Sequence, residues 1–464
     1  MRWSYYLLLV YAFAACTGPA TNSLVQVPGI EDNSSLSDPK LALSYFSTCQ
    51  DPKRRLAYNE YICISSDLFV STYTSFTSVA PVKDSQEQRL EFLAELIQRQ
   101  SVAYWATERN QDQSTRVKRF FTGHLRTQLA KQWVKDEVEK ITNEPNEPDT
   151  REAFNRINTR ILLEQIFAPS PEQITAYHQQ LVQGANFEQL AKASMIQAGI
   201  DSLGYMMGWI EWRDLGLGPE SVAYNLDIGE ISEPVSSLNG WHIFRLTNKE
   251  EKFYADGTTF ENNRESLREA MYARMFEENS TLWIDSVKNV TPLSIQGKAL
   301  EEFEQQIKMI LPNSPSLLLK QLSSSREAST DSVFSAAYEL ANINGHIFTG
   351  EDFISALPQI PEFIVKQDLQ QALEIAVLDF YLSIEAQKKG YLYHPKVFTL
   401  LSIARQNILY DQAIELSALQ SFGNNLADNW FSETKPIVDS LSRNYRQHVI
   451  IDTTQLDRLL PYFF

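Results

Sequence analysis

The chain has six histidines, His124, His178, His242, His346, His394 and His448. Histidine serves acid–base chemistry or metal binding. No two of these lie three or four residues apart, so no helix can present a metal-binding pair. Gly297-Lys298 is followed by Ala299 and lacks an upstream glycine, so no phosphate-cradling loop forms. Two Ser-x-x-Lys spacings, Ser432 to Lys435 and Ser37 to Lys40, lack an apolar helix start and a second motif. A serine acylase is therefore excluded. The three cysteines, Cys16, Cys49 and Cys63, exclude a four-cysteine zinc site and a disulfide-dense scaffold. Cys49 and Cys63 either form one bridge in an oxidising compartment or remain separate thiols. No metal and no cofactor is expected.

The elements of the segment around His242 are readable. Arg160 to Phe167 is strand-like, rich in β-branched and apolar residues. A helix follows, with Ser170 as N-cap, Pro171 at its first position, Gln173 for a capping box and Gly184 as its stop. Asn186 to Lys192 caps and begins a second helix. A glycine-containing loop comes next, then a short helix near Pro219 to Leu226. A strand pair lies around Val235 and His242 to Leu246. The order β-α-α-(α)-β-β describes a small α/β domain.

Three segments of this domain carry a family pattern. They are Asn186 to Lys192 (NFEQLAK), Gly204-Tyr205-Met206-Met207-Gly208-Trp209, and Leu226 to Leu246 (LDIGEISEPVSSLNGWHIFRL). Together they resemble a parvulin-type (PpiC, rotamase) peptidyl-prolyl isomerase domain, over about 90 residues. The resemblance implies prolyl cis–trans isomerisation, which needs no covalent step. A catalyst need only bind the twisted amide better than either planar form. The family places paired ring nitrogens, a Cys or Asp and an apolar wall at its site. Here His242 is the late histidine, and Gln165 stands where the family has the early one. The Cys or Asp position falls at Gln197 or Ala198. The Asp of the glycine turn is replaced by Met206. The resemblance puts Ser237 and Asn239 beside His242, and Met207, Trp209, Ile210 and Leu215 on the apolar wall. His242 is expected to serve structure more than turnover.

The remainder reads as helical arms. Leu93, Leu96 and Ile97 begin one apolar face, and Val117, Phe121, Leu125, Leu129 and Trp133 make an i, i+4 stripe. The pattern returns 280 residues later at Leu373, Val397, Leu401 and Leu409. The expected class is α+β: mostly helical arms in two repeats with an inserted parvulin-like small α/β domain. The expected bounds are repeat 1 at 46–159 continued at 251–300, the inserted domain at 160–250, a connector at 301–335 and repeat 2 at 336–464. This architecture resembles envelope foldases of the SurA and PrsA kind.

The N-terminus carries an address. Met1-Arg2-Trp3 is a short basic start, and Tyr5 to Ala15 is an uncharged apolar run. That run is too short for a bilayer of ~30 Å, and it fits a secretory leader. Phe13-Ala14-Ala15-Cys16 resembles a bacterial lipobox, which implies lipidation at Cys16; ordinary cleavage after Ala15 is the alternative. The leader is set at 1–15 and a flexible tether at 16–45, rich in Ser, Asn, Pro and Gly. The formal net charge is −17, which opposes nucleic-acid binding. The expected localisation is the cell envelope of a bacterium, lipid-anchored and facing the periplasm. The expected partners are unfolded or proline-containing polypeptides. Three classes remain: a prolyl isomerase, a client-holding chaperone with isomerase activity weak or lost, and a structural lipoprotein bound to one fixed partner.

Overall fold

The computed structural model describes residues 52–79, 84–237, 239–251, 260–310, 338–361, 364–365, 369–422 and 430–459. The leader, Cys16, the tether and Cys49 lie outside the described residues. Cys63 is disulfide-bonded. Among the described residues no helix is long and apolar enough to cross a membrane.

In chain order the elements are β1 (Arg55–Tyr58), β2 (Cys63–Ser65), α1 (Ser66–Val79), α2 (Gln86–Glu108), α3 (Thr115–Ile141) and α4 (Glu147–Ile157). Then come β3 (Thr159–Ala168), α5 (Pro171–Val182), α6 (Phe187–Gln197), β4 (Met206–Ile210), α7 (Leu217–Tyr224), β5 (Val235–Ser237) and β6 (Gly240–Glu251). The chain continues through α8 (Phe260–Val290), β7 (Leu293–Ile295), α9 (Gly297–Ile310), β8 (Glu339–Ile343), β9 (His346–Thr349) and α10 (Gly350–Ala356). It closes with α11 (Leu369–Lys388), α12 (Pro395–Phe422), α13 (Trp430–Ser442), β10 (Ile450–Ile451) and α14 (Thr453–Arg458). The class is α+β. The described chain falls into two compact units, one of residues 136–285 and one of the residues before and after them.

The helical unit has two repeats. Leu93, Val117, Phe121 and Leu129 are fully buried, and so are Leu373, Val397, Leu401 and Leu409. An i, i+4 apolar stripe must find a cover to be stable in water, and both copies have found one. The turn between the paired helices recurs at the same offset. Asn110 has φ 57° and Gly390 has φ 83°, and each leads into a single 3₁₀ turn, Gln111–Gln113 and Tyr391–Tyr393. Asparagine and glycine are the residues that tolerate the left-handed region, so the turn chemistry agrees.

The inserted sheet has the order β4-β3-β6-β5, and each pairing is antiparallel. Its β3 alternates so that Ile161 and Leu163 join one core with Ile210, Tyr224, Phe244 and Leu246. Ile166 and Ala168 join a second core with Ile174, Phe187, Ala191, Met195 and Ile243, under α5 and α6. The caps act as read: Ser170 accepts from the Gln173 amide, and Asn186 from the Gln189 amide. One element was missed. Met206–Ile210, taken for a glycine-containing loop, is the edge strand β4. Gly208 sits there at φ 80°, where an L side chain is strained, and the register with β3 shifts beside it. Asn146 caps α4, with Pro148 in its first turn.

A buried ion cluster holds α7. Glu220 is 1 % exposed. It accepts from Arg274 Nη1 at 2.9 Å to each oxygen, from Arg156 at 3.3 Å and from the Arg213 amide at 2.8 Å. A buried carboxylate needs such partners to remain charged.

Candidate functional site

The site lies on the face of the sheet where β3 and β6 meet. Gln165 and Phe167 project from β3, and His242 and Phe244 from β6; each pair is two residues apart and so shares a face. The register opposes Gln165 to Phe244 and Phe167 to His242. The imidazole therefore sits between two phenyl rings. The centroid of Phe244 is 5.5 Å away at 15°, and that of Phe167 is 5.3 Å away at 52°.

Both ring nitrogens are engaged. Gln165 Nε2 donates to the Gly204 carbonyl at 3.2 Å, which turns its oxygen toward the imidazole. Gln165 Oε1 lies 2.9 Å from His242 Nδ1. An amide oxygen only accepts, so Nδ1 carries the proton. Nε2 then holds a lone pair, and Ser237 Oγ is 2.8 Å from it. Ser237 is the donor, and its oxygen in turn accepts from the Asn239 amide at 3.1 Å. Burial pushes the His242 pKa down to about 4, so the ring is neutral near pH 7.

The hairpin is pressed against β3 at Gly240. A Cβ there would meet the Ala168 carbonyl oxygen at 2.7 Å and the Phe167 ring at 2.8 Å. With φ at 142°, the position also strains any L side chain.

The apolar wall differs in part from expectation. Met207 and Leu215 are half-buried on the Phe244 core, joined by Val222 and Val235. Ile210 is inside that core, 8 % exposed. Trp209 is not part of this cluster; its ring lies under the Arg160 guanidinium at 4.4 Å. The irregularity at Gly208 is the reason, since it puts 207 and 210 on one face and turns 209 to the other. Gln197 ends α6 and accepts from the Tyr177 hydroxyl at 2.5 Å, and Ala198 is the C-cap. His178 faces Glu233 at 3.3 Å, away from this set.

Sequence reasoning missed the Gly204 carbonyl, the Phe167 and Phe244 pair, and Val222 and Val235. Phenylalanines two residues after Gln165 and after His242 were the available signal. Among the described residues no group of His, Cys, Asp and Glu could hold a metal ion. Chemically, the set is a neutral relay whose imidazole is committed to its own neighbours, beside an apolar wall.

The rotamase family model, a PPIC-type PPIase domain, matches residues 168–248. Foldase protein PrsA of Oceanobacillus iheyensis is 27% identical over 207 residues, covering 44% of this chain and 68% of that protein. Chaperone SurA of Saccharophagus degradans is 26% identical over 129 residues, covering 28% of this chain and 29% of that protein. The chain thus spans less than a third of the length of that SurA. The crystal structure of the peptidylprolyl isomerase PrsA from Bacillus anthracis aligns with 34% of this chain and 69% of that chain, at 24% identity and a TM-score of 0.23.

Proposed function

Residues 168–248 being a parvulin-type rotamase domain, we propose that the chain is a bacterial envelope folding factor. It binds exported, unfolded polypeptides, and its prolyl isomerase activity is weak or lost. The observation that carries this reading is the closed Gln165–His242–Ser237 relay beside the wall of Met207, Leu215, Val222 and Val235. A neutral, apolar surface suits a proline ring and its flanking residues. A committed imidazole leaves no ring nitrogen to assist a twisting amide.

A second feature supports client binding. Ile196, Ile200, Leu203 and Met206 are 65%, 45%, 58% and 50% exposed along one continuous segment next to Gly204. Apolar side chains left in water in such a run favour contact with another chain. In this reading the leader at 1–15 exports the protein, lipid on Cys16 anchors it and 16–45 is the tether. The functional bounds are then 160–250 for the rotamase domain, with 46–159, 251–300 and 336–464 as the arms. The relatives named PrsA and SurA, a foldase and a chaperone, point the same way.

The test is suppression of aggregation of a chemically unfolded, reduced model protein diluted into buffer with the purified chain. Suppression at near-stoichiometric ratios, weakened when Leu203 and Met206 are both changed to Ser, is the expected result. Unaltered aggregation of several unrelated clients would instead favour a subunit with one fixed partner.

A further inference from the structure

The two three-stranded sheets of the helical unit are each completed by a strand from the other half of the chain. β1 and β2 pair as a hairpin, and their third strand is β10. β8 and β9 pair as a hairpin, and their third strand is β7. The closing hydrogen bonds are reciprocal. The Asp452 amide donates to the Leu56 carbonyl at 2.9 Å, and the Gln296 amide donates to the Leu340 carbonyl at 2.9 Å. Leu56 and Leu340 are both fully buried.

The helices follow the same rule. α12 makes its main helix contact with α2 of the first half, not with α11 beside it in sequence. Its counterpart α3 lies against α10 and α11 of the second half. A Cβ on Gly123 would meet the Ser355 carbonyl oxygen at 1.9 Å, and Thr127 Oγ1 donates to Asp379 Oδ2 at 3.1 Å.

Charge runs across these contacts with one dominant polarity. Arg119 holds Glu351 through two bonds of 2.7 and 2.8 Å, Arg126 holds Asp352 at 2.8 Å, and Arg116 pairs with Glu415. Asp379 attracts Lys131, and Asp411 is attracted first by Arg116 and then by Arg99. In each of these the cation belongs to the first half and the anion to the second. Arg405 near Asp112 has the reverse sense. The Lys131–Asp379 and Asp411–Arg99 pairs occupy the same place in the two repeats: 131 + 280 = 411 and 379 − 280 = 99. The repeat has kept the position of the pair and inverted its sign.

We propose that the helical unit is a fused, strand-exchanged pair: residues up to 310 and residues from 338 are obligate partners, and like charge keeps two first halves apart. Two first halves meeting by the same exchange would set Lys131 against Arg99. They would also set Arg116 against Lys135, because Lys135 holds the place of Glu415 (415 − 280 = 135). Both are like-charge contacts, and juxtaposed like charge is how a specific interface rejects the wrong partner.

The experiment uses the full chain with a protease site placed within 311–337, cut after folding. The two pieces are expected to stay together in gel filtration at the mass of the uncut chain and to part only in urea. Pieces that separate without denaturant overturn the proposal. Charge is tested on the same cut protein. Lys131→Asp and Asp379→Lys should each lower the urea midpoint for separation, and the double variant should recover at least half of the combined loss. A double variant whose loss equals the sum of the singles overturns the role of charge.

Discussion

His242 gives a prediction that can be worked through in numbers. Burial holds its pKa near 4, against about 6.5 for the unfolded chain. A histidine lowered in this way favours the fold only while it is neutral. Above pH 6.5 neither state carries the proton and the effect is absent. As pH falls from 6.5 toward 4, the unfolded chain takes up a proton that the folded chain refuses, and stability is lost. Between pH 7 and pH 4.5 the loss from this one group is about 2 kcal/mol, and about 3 kcal/mol when fully developed. His242→Gln removes the titration while keeping the shape of the relay. Its side-chain amide donates toward Gln165 Oε1, and its oxygen accepts from Ser237. The assay is hydrogen exchange at the Ile243 and Phe244 amides in both proteins, corrected for intrinsic exchange at each pH. The parent should lose about 2 kcal/mol more protection than His242→Gln between pH 7 and pH 4.5. Equal losses would mean that His242 protonates freely in the fold, and the neutral relay would be wrong.

Other perturbations have defined outcomes. Gln165→Ala strands the His242 Nδ1–H and the Gly204 carbonyl, so the rotamase sheet should lose about 1–3 kcal/mol of protection, read by the same amide exchange. Glu220→Ala leaves the buried Arg274 without its carboxylate, while Arg156 keeps Glu152; thermal unfolding should show a loss of about 3–5 kcal/mol in the unit of residues 136–285. Gly123→Ala improves helix propensity by about 1 kcal/mol but drives a methyl into the Ser355 carbonyl. The net should be destabilising by about 1–3 kcal/mol in a urea titration, and a stabilised variant would contradict the close helix approach.

The parts of the fold that were legible share a cause. Local chemistry fixed them: Ser170 and Asn186 as caps, Gly184 as a stop, and the stripes at Leu93 and Leu373. These signals act within four residues, so sequence carries them openly. The β character of Leu293–Ile295 and of Ile450–Ile451 was legible, but their pairing was not. β7 and β10 are three and two residues long, and their partners lie far along the chain, so nothing local selects the pairing. β4 was hidden for another reason, since a glycine with positive φ breaks the alternation that identifies a strand. That same glycine turns Trp209 away from the wall on which the resemblance placed it. At the site, Gln165, Ser237 and His242 were indicated by the family resemblance, and the structure brings them together. The orientation of the Gln165 amide could not be read from sequence, because it is set by the Gly204 carbonyl some 39 residues away.

The central claim is a parvulin-type folding factor whose relay is closed to catalysis. A prolyl cis–trans exchange measurement on a short X-Pro peptide tests it most directly, with the parent protein, His242→Ala and Gln165→His side by side. The account predicts exchange near the uncatalysed rate in the parent, no change in His242→Ala and a gain in Gln165→His. Rapid exchange in the parent that collapses in His242→Ala would contradict it and make His242 a working catalytic residue.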